Sequence, residues 1–406
     1  MTPGARIEAA IEILDEIAAG LRPADDIVRD WGRTHRFAGA KDRHAISDTV
    51  YDVLRRRGYY ALLTGREDAR AAVLAHVAAG EGATQAARLF SGEGHAPAAL
   101  SDEERQLAGN IATSARGLPQ FDAPAFLLPE LAAAFGPAME AELAALDRPA
   151  PLDLRVNTLK GTREEALVSL AAAGIEASPA PRSPVGIRVA THARIAGTQA
   201  FKSGLVEPMD EGSQLAALAV DARPGMQVAD LCAGAGGKTL ALAAMMENRG
   251  QIHASDADAR RLGRLSPRMK RAGAHNIQPV RWPQDGIFAG LADVCDRVLI
   301  DAPCSGTGAW RRHPELKWRL TPGELEKLTH TQDALLRSAP PLVKPGGRLV
   351  YVTCSVLPVE NSARIEAFLA AHADFSLDED ASLTLTPLRD GTDGFFVAVL
   401  DRSPAG

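Results

Sequence analysis

Gln227-Val-Ala-Asp-Leu-Cys-Ala-Gly-Ala-Gly-Gly-Lys-Thr239 opens as an apolar run, ends that run on an acid, and passes through a glycine-rich turn into helix-forming residues. A buried strand delivering into a helix in this way is the entry to a doubly wound parallel sheet. The surrounding sequence repeats the unit. Strands are expected at 226–231, 251–255, 277–282 and 298–300, and a last one runs through Leu349-Val-Tyr-Val into Cys354. Helices are expected from Lys238 and Asp258, with a third after the capping box Thr321-Pro-Gly-Glu324. Alternation of strand and helix gives a parallel sheet covered on both faces.

The turn admits three ligands. A phosphate-cradling loop needs a glycine where Cys232 stands, and a dinucleotide fingerprint needs glycine or alanine where Thr239 stands. An S-adenosylmethionine site asks only for glycines that let the backbone approach, plus acids at successive strand ends. Asp256 follows the second strand for the ribose hydroxyls, Asp285 follows the third to face the adenine, and Asp301 follows the fourth beside the reacting centre. The expected cofactor-binding set is therefore Cys232, Ala233, Gly234, Ala235, Gly236, Gly237, Lys238, Asp256, Asp285 and Asp301.

Two thiols follow strand-like runs. They lie in Asp301-Ala-Pro-Cys-Ser-Gly-Thr-Gly308 and in Tyr351-Val-Thr-Cys-Ser355. A free cysteine is usually a small buried hydrophobe, and Cys295 fits that description. Cys304 and Cys354 sit instead in turn-rich settings at strand mouths, where loops carry chemistry on a rigid scaffold. They are the expected catalytic thiols.

The 406 residues allow two or three domains, and four cysteines without a C-x-x-C pair indicate neither a disulfide framework nor a metal site. Reduced thiols, an acidic N-terminus and the lack of a long apolar stretch point to a cytoplasmic chain that is neither secreted nor membrane-embedded. The net charge of −6 hides two basic patches. One spans Arg260, Arg261, Arg264, Arg268, Lys270, Arg271 and Arg281. The other, Arg311, Arg312, Lys317 and Arg319 interleaved with Trp310, His313 and Trp318, has the mix of cations and aromatics suited to phosphates and stacked bases.

The N-terminal residues read as helical, with Ile46, Val50, Val53 and Leu54 on one face of a helix at 42–57. A proline-rich hinge is expected at 117–151. Strands at 152–157 and 186–190, with a helix opened by the capping box Thr162-Arg-Glu-Glu165, form a small α/β module in which Arg155 and Asn157 could touch a substrate backbone. The expected boundaries are 1–125 helical, 126–205 linker and small α/β module, and 206–402 Rossmann-like domain.

The glycine turn, the Pro-Cys and Thr-Cys stretches, Arg312-His-Pro-Glu-Leu-Lys-Trp318, Leu154-Arg-Val-Asn157, Asp210-Glu-Gly-Ser-Gln214 and Asp393-Gly-Phe-Phe396 together resemble the Sun/Fmu (RsmB-type) family of RNA cytosine-5 methyltransferases. The helical N-terminus resembles a NusB-like RNA-binding domain. The resemblance implies a class I S-adenosylmethionine methyltransferase fold, a ferredoxin-like small module, and 16S rRNA as partner to a monomeric enzyme without metal. It implies attack by Cys354 on C6 of a cytosine, release assisted by Cys304, and a hydrogen bond from the base to Asp301. Ala235 stands where the family commonly has proline, a change that removes no reacting group. Other readings of the same residues are tRNA as substrate, a non-catalytic ribosome-assembly factor, and an ATPase built on Lys238.

Overall fold

Ile46, Val50, Val53 and Leu54 are all buried along one face of a helix at Ala40–Arg55. That helix packs with Pro3–Ala19 and Ala69–Glu81 around an all-helical core. The first helix begins where the Thr2 side chain accepts the Ala5 N–H, and the third where Asp68 does the same for Ala71, so each hydroxyl or carboxylate satisfies an orphan donor. The structure is a computed structural model that describes residues 1–20, 22–114, 122–190, 193–281 and 290–405. Asp285 and the end of the expected 277–282 strand lie outside the described residues.

The expected hinge is in part helical. Short helices run over Leu128–Phe135 and Met139–Leu146, with Pro129 in the first turn of one and Pro137 in the 3₁₀ turn leading into the other. Proline is tolerated there because the first turn of a helix has no partner for its N–H. These helices cluster with the N-terminal ones, although the sequence reading groups them with the small α/β module. Two compact units result: Met1–Arg148 with Trp310–Leu320, and Pro149–Ala309 with Thr321–Gly406.

Among the described residues the second unit holds two sheets. The small one consists of β1 (Leu152–Val156), β2 (Ala177–Pro179), β3 (Gly186–Val189) and β4 (Val206–Pro208) in the antiparallel order β2-β3-β1-β4. Its helix, Arg163–Ala172, opens with the expected reciprocal Thr162–Glu165 capping box. The large sheet contains β5 (Gln227–Asp230), β6 (Gln251–Asp256), β7 (Ile277–Arg281), β8 (Cys295–Asp301), β9 (Val343–Thr353), β10 (Phe375–Leu377), β11 (Leu383–Leu385) and β12 (Phe395–Arg402).

The order is β7-β6-β5-β8-β9-β12-β10, with β11 also on β12; β5 to β9 are parallel and β12 runs against β9. Side chains of the central strands alternate between two cores. Val228, Leu299, Val350 and Val352 face one, while Ala229, Val298, Ile300, Leu349 and Tyr351 face the other. Each such aliphatic side chain contributes about 1.5–3 kcal/mol on burial, which pins the register. The strand order reverses between β5 and β8, opening a crevice at their carboxyl ends.

Candidate active site

β5 ends on Asp230, and the chain then turns on Gly234 and Gly236, both at positive φ (55° and 89°). A Cβ on Gly236 would stand 2.2 Å from Leu265 Cδ1 and would have to displace that side chain, on a backbone whose positive φ already disfavours any residue but glycine. The turn is tied to the next strand end: the Gly234 N–H donates to Asp256 Oδ2 at 2.8 Å, and the Asp258 N–H to Oδ1 at 2.8 Å. Arg268 donates to the Ala235 carbonyl at 2.7 Å. Asp230 accepts the Thr239 hydroxyl at 2.7 Å, and burial pushes its carboxyl up to about 7 against that bond.

Lys238, the first lysine of the helix Gly237–Met245, is buried and pairs with Asp301 Oδ2 at 2.8 Å, its ammonium lying 5.4 Å from the centre of the Phe395 ring. Burial works against its charge, but Asp301 more than offsets this and holds the ammonium above its ordinary range, with the Cys354 sulfur adding to the effect.

Cys304 follows β8 and Cys354 follows β9, neighbours in the parallel sheet with Asp301 opposite Val352. The two sulfurs stand 3.4 Å apart. The loops bearing them are joined by backbone bonds, Ala302 N–H to Val352 O at 2.8 Å and Gly308 N–H to Cys354 O at 2.9 Å. The hydrogen bond to the Cys354 sulfur, with burial, pushes the Cys304 thiol far up. Burial, helped by Asp230 and Asp301, does the same to Cys232, and burial lifts the fully enclosed Cys295 to about 12.

Cys232, Asp256, Asp258, Asp301, Cys304 and Cys354 line one cleft of ≈ 870 Å³. It is large enough for a nucleoside-bearing ligand. Asp256, an acceptor fixed by two backbone N–H groups, suits a ribose diol; the glycine turn beside it lets a ligand approach the main chain, and Leu231 and Leu335 supply apolar wall. Six of the expected residues thus meet here: Cys232, Asp256, Asp301, Cys304 and Cys354 on the cleft, and Lys238 through its bond to Asp301. Lys238 reaches the end of β8 rather than standing only as part of the turn.

Much of the second basic patch is spent inside the helical unit, while Arg312 and His313 remain partly exposed. Trp310 and Lys317 are fully buried in the helical unit. Lys317 binds Asp147, the Asp122 carbonyl at 3.0 Å and the Arg55 carbonyl at 3.3 Å; Trp318 donates to Leu54 O at 2.6 Å; Arg319 donates to Ile17 O at 3.2 Å and Arg22 O at 2.7 Å. Several of these acceptors are orphan carbonyls in the last turns of Pro3–Ala19 and Ala40–Arg55, where cations and N–H donors are favoured. In the first patch, Arg268 and Arg271 pair with Glu207 at 2.9 and 2.6 Å, while Arg260, Arg261, Arg264 and Lys270 are exposed. Arg155 and Asn157 are also internal: both are buried, and Asn157 bridges the Gly204 and Ala272 carbonyls at 2.9 and 2.8 Å. One residue escaped the sequence reading altogether, Glu360, whose carboxylate lies among the two cysteine loops; its only signal was an acid six residues after Cys354.

The model of the 16S rRNA methyltransferase RsmB/F family matches residues 217–401, and that of the ferredoxin-like domain of RsmF/B-like methyltransferases matches 123–196. A probable ribosomal RNA small subunit methyltransferase B of Synechocystis sp. is 34% identical over 70% of this chain and 68% of its own. The ribosomal RNA small subunit methyltransferase B of Serratia proteamaculans is 33% identical over 84% and 80%. Among solved structures, the crystal structure of PH0851 superposes with a TM-score of 0.80 at 27% identity, covering 99% of both chains. With the doubly wound sheet, the glycine turn and the acid-lined cleft, these likenesses establish that the chain belongs to the RsmB/F family of S-adenosylmethionine-dependent methyltransferases.

Proposed function

We propose that this protein methylates C5 of a cytosine in small-subunit ribosomal RNA, in the cytoplasm, with Cys354 as nucleophile and Cys304 as its partner. The observation that carries this reading is the 3.4 Å approach of two sulfurs in a cleft that also contains Asp256 and Asp301. The names of the relatives supply the ribosomal substrate. The helical unit is assigned to RNA binding, and the residues from Cys232 to Lys238 with Asp256 to the cofactor.

C5 of cytosine is a poor nucleophile until C6 is attacked. The Cys354 thiolate forms a bond to C6, and the C5–C6 π pair becomes available at C5. S-adenosylmethionine, when bound, supplies an electrophilic methyl group on a sulfonium. Asp301 receives the base through N3 or its amino group; Lys238 holds Oδ2, which leaves Oδ1 for that contact. Removal of the C5 proton then returns an electron pair to C5–C6 and expels the Cys354 thiolate.

The electrostatics explain why two thiols suit this sequence. The contact with Cys354, with burial, holds the Cys304 thiol far above its ordinary range, so Cys304 enters the reaction as a thiol 3.4 Å from the nucleophilic sulfur. Once Cys354 is bonded to C6, Cys304 gives its proton to solvent at the cleft, its thiolate takes the C5 proton, and it ends as the thiol again while Cys354 leaves as the thiolate. A cytosine in a helix hides its C6 face, so the base enters unstacked.

Cys304→Ala should trap a denaturant-stable protein–RNA complex, and Cys354→Ala should trap none. Absence of a complex in the first variant, with methyl transfer abolished, would refute the division of roles. Bisulfite mapping of ribosomal RNA from cells lacking the protein identifies the modified position.

A further inference from the structure

Glu360 takes no part in the steps above, yet it is fully buried and sits among the loops that take part. Oε1 accepts the Ser305 N–H at 2.9 Å and Gln332 Nε2 at 3.0 Å, while Oε2 accepts the hydroxyls of Ser305 and Ser355. Ser305 directly follows Cys304 and Ser355 directly follows Cys354. Thr307 cross-braces the same group, its hydroxyl 3.1 Å from Ser355 Oγ and accepting the Val356 N–H at 3.0 Å. The main chain at 360–361 is anchored as well: Tyr351 donates to the Glu360 carbonyl at 2.8 Å, and Asn361 binds the Thr353 hydroxyl at 2.6 Å and the Ser355 carbonyl at 2.9 Å.

A buried carboxylate is costly unless paired or richly hydrogen-bonded, and bonds to an ionised acceptor are shorter and about twice as strong as neutral ones. Four donors converge on this one, and three of them belong to the residues that follow the two cysteines. We propose that Glu360 is a positioning residue which, by clamping Ser305 and Ser355 together, fixes the two sulfurs at the separation the methyl-transfer reaction uses. The inference rests on the two-thiol reading given under Proposed function. Glu360 also adds to what raises the Cys304 thiol, after the contact with Cys354 and burial. A glutamine at 360 keeps the size but presents an amide NH₂ where two donors now point.

Two readouts test it. Diamide is a two-electron oxidant: it takes the two thiol hydrogens and leaves Cys304 and Cys354 joined as a disulfide. The rate at which the 304–354 linked peptide forms measures sulfur proximity without RNA. In Glu360→Gln this rate should fall at least tenfold. In the same variant kcat for methyl transfer should fall at least tenfold while KM for S-adenosylmethionine stays within twofold. If Glu360→Gln does not fold, the double variant Ser305→Ala/Ser355→Ala removes the anchors and should show the same two losses. Wild-type linkage, or slowed linkage with unchanged kcat, overturns the proposal. Failure of Cys304→Ala to trap RNA would instead sink the two-thiol reading, with the diamide rate still reporting on the clamp.

Discussion

Replacing Lys317 with methionine should unfold the helical unit at far lower denaturant, and the cost can be worked from its surroundings. The side chain is fully buried, its ammonium pairs with an Asp147 carboxylate that is only 6% exposed, and two main-chain carbonyls complete the shell. Burial opposes both partners, lowering the Lys317 pKa and raising that of Asp147, so neither charge would be stable there alone. Removing one partner of a buried pair costs about 3–5 kcal/mol because the other is left uncompensated. With a urea slope of about 1–3 kcal/mol per molar, the midpoint should fall by about 2 M. Trp31, Trp310 and Trp318 all lie in this unit, so intrinsic fluorescence reports its unfolding. The double variant Lys317→Met/Asp147→Asn keeps an acceptor for the Asp122 N–H and removes the stranded charge, and it should regain at least half of the loss. A single variant costing under about 1 kcal/mol, or a double variant as unstable as the single, would refute the reasoning.

Two further perturbations read the α/β unit. Asp230 has its carboxyl raised by burial from 3.8 to about 7, so the folded state binds the proton more tightly than the unfolded one; the stability this gives is complete below pH 4 and is lost as pH rises through 7. Urea midpoints of the unit should fall over that window by an amount worth at most about 4 kcal/mol, and Asp230→Asn should flatten the profile; equal slopes in both proteins would count against the assigned burial. Gly308→Ala places a Cβ 2.2 Å from the Gly394 carbonyl oxygen, where main chain meets main chain, and should cost about 2–4 kcal/mol by calorimetry while slowing 304–354 linkage by diamide.

How much of this was legible in the sequence depended on whether a signal was local. The inner strands of the parallel sheet were, because each carries a buried apolar run and ends on an acid or a turn, whereas the edge strand β7 is largely exposed. The glycine turn, Asp256 and Asp301 followed from strand ends alone. The antiparallel additions β10 and β11 did not, since three-residue runs resemble loops until β12 is there to pair with. Trp310, Lys317 and Trp318 misled for a definite reason. Interleaved cations and aromatics look the same whether their donors face phosphates or the carbonyl ends of helices three hundred residues away in sequence. Glu360 was illegible because a buried acid is recognisable only by its donors, and Ser305, Ser355 and Gln332 come from three separate segments.

The meeting of the two sulfurs is a matter of register. Asp301 stands opposite Val352, so Cys304 lies three residues past one end of that pair and Cys354 two past the other. Lower down, Cys295 pairs with Val343 but Arg297 with Arg348, so β9 takes five steps where β8 takes two. The irregular Lys344-Pro-Gly-Gly347 stretch absorbs the difference, with Gly346 at a φ of 74°. A slip of one residue would displace one loop by about 3.3 Å along the strand, a distance comparable to the whole sulfur–sulfur separation. It would also turn Val350 and Val352 from one core to the other. The hydrophobic alternation that holds the sheet together is therefore what brings Cys304 and Cys354 to the same level, and Glu360 acts only on the last few residues, beyond the strands, where the ladder no longer constrains the loops.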